Sequence, residues 1–121
     1  MVKAVQDLWI LTQAGKVLYQ RISNVKMHTQ LFGALISALK SFSQELTRTG
    51  LADFEASSYK FTLLKNYPLI FVATSNNKVK GKKIQDELKK ISKNFFVKYA
   101  DVLANWDSWD RNIDIFSDFE K

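Results

Sequence analysis

The stretch LADFEASSYKFTLLKNYPLIFVATS, residues 51–75, reads as three consecutive strands. In its middle part Tyr59, Phe61 and Leu63 alternate with Lys60, Thr62 and Leu64, the period of two that a strand imposes because successive side chains leave opposite faces. PLIFVATS, residues 68–75, is instead apolar on both faces, as a strand is when protein covers it on two sides. That segment is therefore expected mid-sheet, with a helical layer above and another below, while YKFTLLK has a wetter second face. Ser57 with Ser58, and residues 66–68, form the expected links.

Toward the N-terminus, residues 5–11 are rich in strand formers, and QAGK puts Gly15 where a tight hairpin often needs positive φ. Residues 17–22 resume the alternation through Leu18, Gln20 and Ile22. After the polar link SNVKMHT the spacing changes to 3.6 through Leu31, Phe32, Leu35, Ile36, Leu39, Phe42 and Leu46, and stops before Gly50. This is a first helix. Toward the C-terminus, Ile84, Leu88, Ile91, Phe95, Tyr99 and Val102 share one stripe of a long second helix over residues 80–105. Phe96 and Val97 lie off that stripe. The tail NWDSWDRNIDIFSDFEK offers Trp106, Trp109, Phe116 and Phe119 to cover Phe96, with a short third helix over residues 114–121.

A chain of 121 residues, 46% hydrophobic and 13% aromatic, is enough for one packed domain, here taken as residues 1–121. No run of about 18 uncharged apolar residues exists to span a bilayer. Gln6 and Asp7 interrupt the N-terminal apolar run and no small-residue cleavage site follows, so this segment reads as a strand and not as a signal peptide. With no cysteine, disulfides and thiolate metal sites are excluded, which fits a cytoplasmic protein. The net charge of +6 sits in residues 78–98, where eight lysines oppose only Asp86 and Glu87. Such a cluster attracts an acidic protein, an anionic lipid surface or nucleic acid. The plain alternative is a solvated helix face, since lysine is its usual filler.

Catalytic and cofactor motifs are missing. The single histidine, His28, lies in a polar link near the first helix start, and no GxSxG elbow supplies a serine nucleophile for it. Gly81-Lys82-Lys83 has the GK of a phosphate loop, but Asn76 stands at the required earlier glycine and Lys83 at the Ser/Thr position. Asp110, Asn112 and Asp114 copy the first ligand positions of a calcium loop, yet Ile115 replaces its glycine and Lys121 its bidentate glutamate. Carboxylates at a helix start explain them more simply. The expectation is no enzyme, no cofactor and no metal. The βαββαβ order and glycine-aromatic signature of the sheet-platform RNA module are also absent, which argues against nucleic acid. A basic nucleic-acid-binding module or a ligand-sensing α/β domain remain the alternatives, although no polar cluster inside an apolar segment marks a pocket.

Five strands, with one helix after the second and another after the fifth, place helices on opposite faces of one sheet. Within that order, LWILTQAGKVLYQR resembles the start of longin domains, and PLIFVATS followed by a long helix and DIFSDFEK is similar to the end of the small adaptin chains, which are themselves longin-like. The resemblance covers essentially the whole chain. It implies an α/β fold with a mixed five-stranded sheet in the order 2-1-5-4-3, one helix on one face and two on the other. The related roadblock fold shares the sheet but begins with a helix, whereas this chain begins with a strand pattern. Longin family members are noncatalytic modules of membrane traffic: regulatory heads of SNARE proteins, adaptor and tether subunits, and parts of exchange factors that hold small GTPases. No SNARE helix or membrane anchor follows in this sequence, and it stops where small adaptins continue their last helix. A free-standing module is thus as consistent with it as a coat subunit.

The resemblance also implies a partner surface on the first helix and third strand, where longin domains dock a segment of their own chain or another protein. Beside the apolar arc of the first helix run Ala34, Ser37, Ala38 and Ser41, small uncharged residues that let another backbone approach, and Phe54 stands on the adjoining strand. The alternative is that the strip only lets the helix lie near the sheet, with Phe54 in the core. The expected partner is a small GTPase or another longin or roadblock chain, including a second copy in a homodimer. Lys78, Lys80, Lys82, Lys89 and Lys93 form the expected anionic-surface contact, with Lys82, Lys89 and Lys93 turned away from the core stripe. That contact implies a cytoplasmic protein held weakly and peripherally at a membrane.

Overall fold

A computed structural model describes residues 5–22, 28–41, 43–56, 59–76 and 78–120. Strands β1 (Asp7–Thr12) and β2 (Val17–Arg21) form a hairpin, followed by helices α1 (His28–Ser41) and α2 (Ser43–Thr49). Strands β3 (Leu51–Ala56), β4 (Tyr59–Asn66) and β5 (Leu69–Asn76) come next, then helices α3 (Gly81–Lys98) and α4 (Ala100–Ala104). Two 3-10 turns, Trp106–Ser108 and Ile113–Phe116, complete the described chain.

The sheet order is β2-β1-β5-β4-β3, as the longin resemblance implies, and β5 lies in the middle. One expectation is corrected: the sheet is not mixed, because all four neighbouring pairs are antiparallel. Hairpins join β1 to β2 and connect β3, β4 and β5 in series, whereas the α1–α2 crossover links β2 to β3 at opposite edges of the sheet. The two strands that this crossover makes parallel never become neighbours.

Alternation along the two central strands divides the core. Leu8 and Ile10 of β1, with Leu69, Phe71 and Ala73 of β5, pack beneath Ile84, Leu88 and Phe95 of α3. Trp9 and Leu11, with Ile70, Val72, Phe61 and Leu63, face Leu35 of α1 and Leu46 of α2. Burying a large apolar side chain stabilises the fold by about 1.5–3 kcal/mol, so these two layers outweigh any single polar contact. Among the described residues, Asp7, Thr62, Thr74, Ser75 and Ser92 are buried polar side chains. The Thr74 hydroxyl donates to Asp7 Oδ2 at 2.6 Å and accepts from the Asp7 main-chain N–H at 3.2 Å.

Two glycines are fixed by backbone geometry. Gly15 turns the first hairpin at φ +94°, and Gly50 ends α2 at φ +79°, its N–H bonding the Leu46 carbonyl at 2.9 Å while its own carbonyl accepts from Lys65 at 2.8 Å. The helices differ from their periodicities in three ways. The expected single first helix is divided into α1 and α2, with residue 42 outside the described residues. The long second helix breaks at Tyr99, whose φ of −114° and ψ of 33° leave the helical region. The expected third helix over residues 114–121 is a 3-10 turn limited to Ile113–Phe116. The described helical segments therefore lie as α1 with α2 on one face, and α3 with α4 and the 3-10 turns on the other.

Candidate interaction surfaces

The α1 surface follows from its seating. Leu35 is fully buried and Leu39 half-buried against the sheet, so residues about half a turn away face solvent, and Ser37 and Ser41 are exposed. The side chains of Ala34 and Ala38 lie outside the described residues. Phe54 is only half-buried, but its ring stacks on Phe61 with centroids 4.7 Å apart and an interplanar angle of 8°, which assigns most of it to the core layer under α1. What the structure does bring together is Ser41, Gln44 and Glu45 with Leu51, Ala52 and Asp53 of β3, around an open depression of about 510 Å³. Since β3 is the last strand of the sheet, the main-chain groups along its outer side have no neighbouring strand among the described residues. Such an edge is a template for another chain, and the exposed Asp53 and Glu55 guard it against nonspecific pairing.

On the opposite face, Lys78, Lys80, Lys82, Lys89 and Lys93 are all exposed. The last two border a second surface feature, a trough between α3 and β4. The first turn of α3 carries no acidic residue and Lys80 makes no side-chain cap, so the helix start itself adds no negative charge to the lysine cluster.

The tail does not cover Phe96. Its rings close over the stripe itself: Phe116 is fully buried, with centroids 5.3 Å from Phe95 and 4.9 Å from Tyr99, and Phe119 lies 5.0 Å from Phe95. Phe96 stays half-buried beside Phe71. Trp106 and Trp109 stack at 5.2 Å beneath the Arg111 guanidinium, which sits 5.3 and 5.4 Å from the two ring centroids and also donates to the Trp106 carbonyl at 3.2 Å. Arg111 holds a left-handed φ of 66° to do so. Glu120 then fastens the tail to the β2 edge, accepting from the Tyr19 hydroxyl at 2.6 Å and from Arg21 Nε at 2.8 Å. Arg21 in turn donates to the Gln6 carbonyl at 3.2 Å.

Burial, and next the hydrogen bond to the Glu120 carboxylate, hold the Tyr19 hydroxyl well above the usual tyrosine range. Burial and the negative charge of Asp118 raise Tyr99 as well. In the unfolded chain both phenols lose their protons near the ordinary value of about 10, while the folded chain retains them. Between those limits the unfolded state binds fewer protons, so stability is complete below about pH 10 and declines as pH rises beyond it. Urea midpoints measured at pH 9 and pH 11 should show this decline, and Tyr19→Phe should make it smaller. Equal declines in the two proteins would show that Tyr19 does not contribute.

The Asp110 carboxylate is used locally. Asp110 Oδ1 accepts from the Asn112 main-chain N–H at 3.0 Å, and Asn112 Oδ1 from that of Asp114 at 3.1 Å. Among the described residues no three His, Cys, Asp or Glu side chains converge as metal ligands. His28 is the first residue of α1. Two participants were not identified from sequence, Glu120 and Tyr19. Their partners are about a hundred residues away, beyond the range of local patterning.

A five-stranded antiparallel sheet in this order, opening on a strand hairpin and carrying a helical layer on each face, defines a longin-like domain. Residues 6–101 match the model of the first longin domain of FUZ, MON1 and HPS1, and the chain belongs to that family. No curated protein matches it. Among solved structures, Myxococcus xanthus MglB aligns with a TM-score of 0.54 at 9% identity, over 75% of this chain and 77% of that one. A Roadblock/LC7 domain from Streptomyces avermitilis aligns with a TM-score of 0.51 at 12% identity, over 77% of this chain and 87% of that one. At such identities the likeness is one of fold. No helix among the described residues is long and apolar enough to cross a membrane.

Proposed function

We propose that residues 1–121 form a single noncatalytic interaction module that regulates a small GTPase, gripping its partner through the outer side of α1 and the edge of β3. The observation that carries this reading is the meeting of the exposed Ser41 with β3, the last strand of the sheet, around the 510 Å³ depression. Ser37 extends the same exposed strip by one turn. Membership in the longin family supports the reading, because longin domains act in membrane traffic by presenting surfaces. Another longin or roadblock chain, or a second copy of this one, would use the same edge by adding a strand to it. In this reading the module works in the cytoplasm, peripherally at a membrane, with Lys78, Lys80, Lys82, Lys89 and Lys93 turned toward the anionic lipid.

Ser37→Arg and Ser41→Arg test the partner surface. Both side chains are exposed, so each substitution should change stability by no more than roughly 0.5 kcal/mol. Together they should abolish capture of small GTPases in a pull-down and any self-association seen by light scattering. Folded variants that associate as before would move the interface away from α1, and unfolding would show that the strip serves packing.

A further inference from the structure

The trough between α3 and β4 has a volume of about 680 Å³ and opens widely to solvent. Leu64, Phe96, Val97 and Ala100 make it mainly apolar, while Lys89 and Lys93 edge it and, among the described residues, no carboxylate lines it. Its two neutral polar side chains are paired with each other, Asn66 Nδ2 donating to Ser92 Oγ at 3.0 Å. Through Phe96 it adjoins a second depression bordered by Tyr67 and Trp106. Tyr67 and Val97 are also the most exposed large hydrophobic residues among those described, at 75% and 71%.

These features differ from a small-ligand site. Ligand pockets enclose most of their ligand's surface, and a trough this open would leave a small molecule largely wet. A peptide in the trough would contact its walls, whereas Tyr67 lies outside it and Val97, although it lines the trough, is still largely exposed. A bilayer uses both at once: projecting apolar and amphipathic side chains enter the interfacial layer while the lysines stay at headgroup level. The local charge agrees, because the positive excess of the chain lies in residues 78–98.

We propose that this trough and the depression beside it form a membrane-docking surface, in which Tyr67 and Val97 enter an anionic bilayer and Lys89 and Lys93 pair with its headgroups. The inference rests on the membrane orientation given above and adds apolar insertion to it. The partner edge at α1 and β3 stays free, since α1 occupies the other face of the sheet.

Sedimentation with phosphatidylcholine vesicles containing 30% phosphatidylserine tests the electrostatic part. A lysine near such a surface strengthens partitioning about fivefold, so joint reversal of Lys89 and Lys93 to glutamate should weaken it by at least about twenty-five-fold. Insertion is read separately. The chain has no cysteine, so V97C carries a single environment-sensitive NBD label, with S37C on the opposite face as control. The expected result is a brighter, blue-shifted signal at position 97 with anionic vesicles, none with phosphatidylcholine alone, and none at position 37. Sedimentation with a silent label at position 97 would overturn insertion and leave the electrostatic orientation standing. Failure of the unmodified chain to sediment at low salt would overturn both. A response at position 97 to an acidic amphipathic peptide, but not to vesicles, would assign the trough to a protein partner and overturn the proposal.

Discussion

Phe116→Ala should cost about 3–5 kcal/mol, as much as truncating a phenylalanine at the centre of a core. Phe116 is fully buried, although it belongs to a four-residue 3-10 turn near the end of the chain and lies beyond the residues that match the family model. Its ring meets Tyr99 at 4.9 Å, Phe95 at 5.3 Å and Trp109 at 5.4 Å, and such aromatic pairs contribute about 0.5–1.5 kcal/mol beyond their buried area. Removing the ring opens a cavity between tail and α3 and frees Glu120 from Tyr19. Urea denaturation gives the loss directly if the dependence on denaturant is unchanged. The alkaline decline that Tyr19 contributes should also shrink in this variant. A loss below about 1 kcal/mol would mean that the tail rests on the domain without being part of it.

Leu35→Ala should cost about 2–5 kcal/mol and remove partner association although it leaves the proposed contact residues intact. Leu35 is fully buried against Trp9, Leu63 and Val72, and it fixes the distance and rotation at which α1 lies on the sheet. Loosening that anchor lets α1 open locally, so the effect should appear as faster amide exchange in α1 before the central strands respond. Retained protection in α1, with a loss under about 1 kcal/mol, would show that Leu39 and Leu46 seat the helix without it. The contrast with Ser37→Arg separates the two roles of α1. One substitution alters how the helix is held, the other what it presents.

The core division and the central place of β5 were legible in residues 51–75 and 5–22, whereas the full strand order came only from the longin resemblance. Val72 flanked by Phe71 and Ala73 has no polar side to turn outward, so β5 had to be central. Tyr59, Phe61 and Leu63 had to share a face because β4 alternates. Sheet direction was misread, since periodicity says which side chains share a face but nothing about the direction of a neighbouring strand. The proposed interaction surface was legible only in part. Exposure of Ser37 and Ser41 follows from the helical wheel through Leu35 and Leu39, whereas the stacking of Phe54 on Phe61 and the depression at the β3 edge depend on how far apart the sheet holds α1 and β3.

The sequence by itself determined which side chains need cover, because burial of Phe95, Phe71 or Leu35 is favourable wherever a partner surface is found. Tertiary structure decided which surface covers them. Phe95 and Phe96 are adjacent aromatic residues, 21 and 20 positions before Phe116, and no local rule distinguishes them as partners for the tail. The break at Tyr99 and the clamp from Glu120 to Tyr19 and Arg21 direct the tail onto Phe95 and leave Phe96 beside an open trough. These contacts join residues far apart in the chain, whose meeting is governed by loop closure and ring packing, so only the folded molecule fixes them.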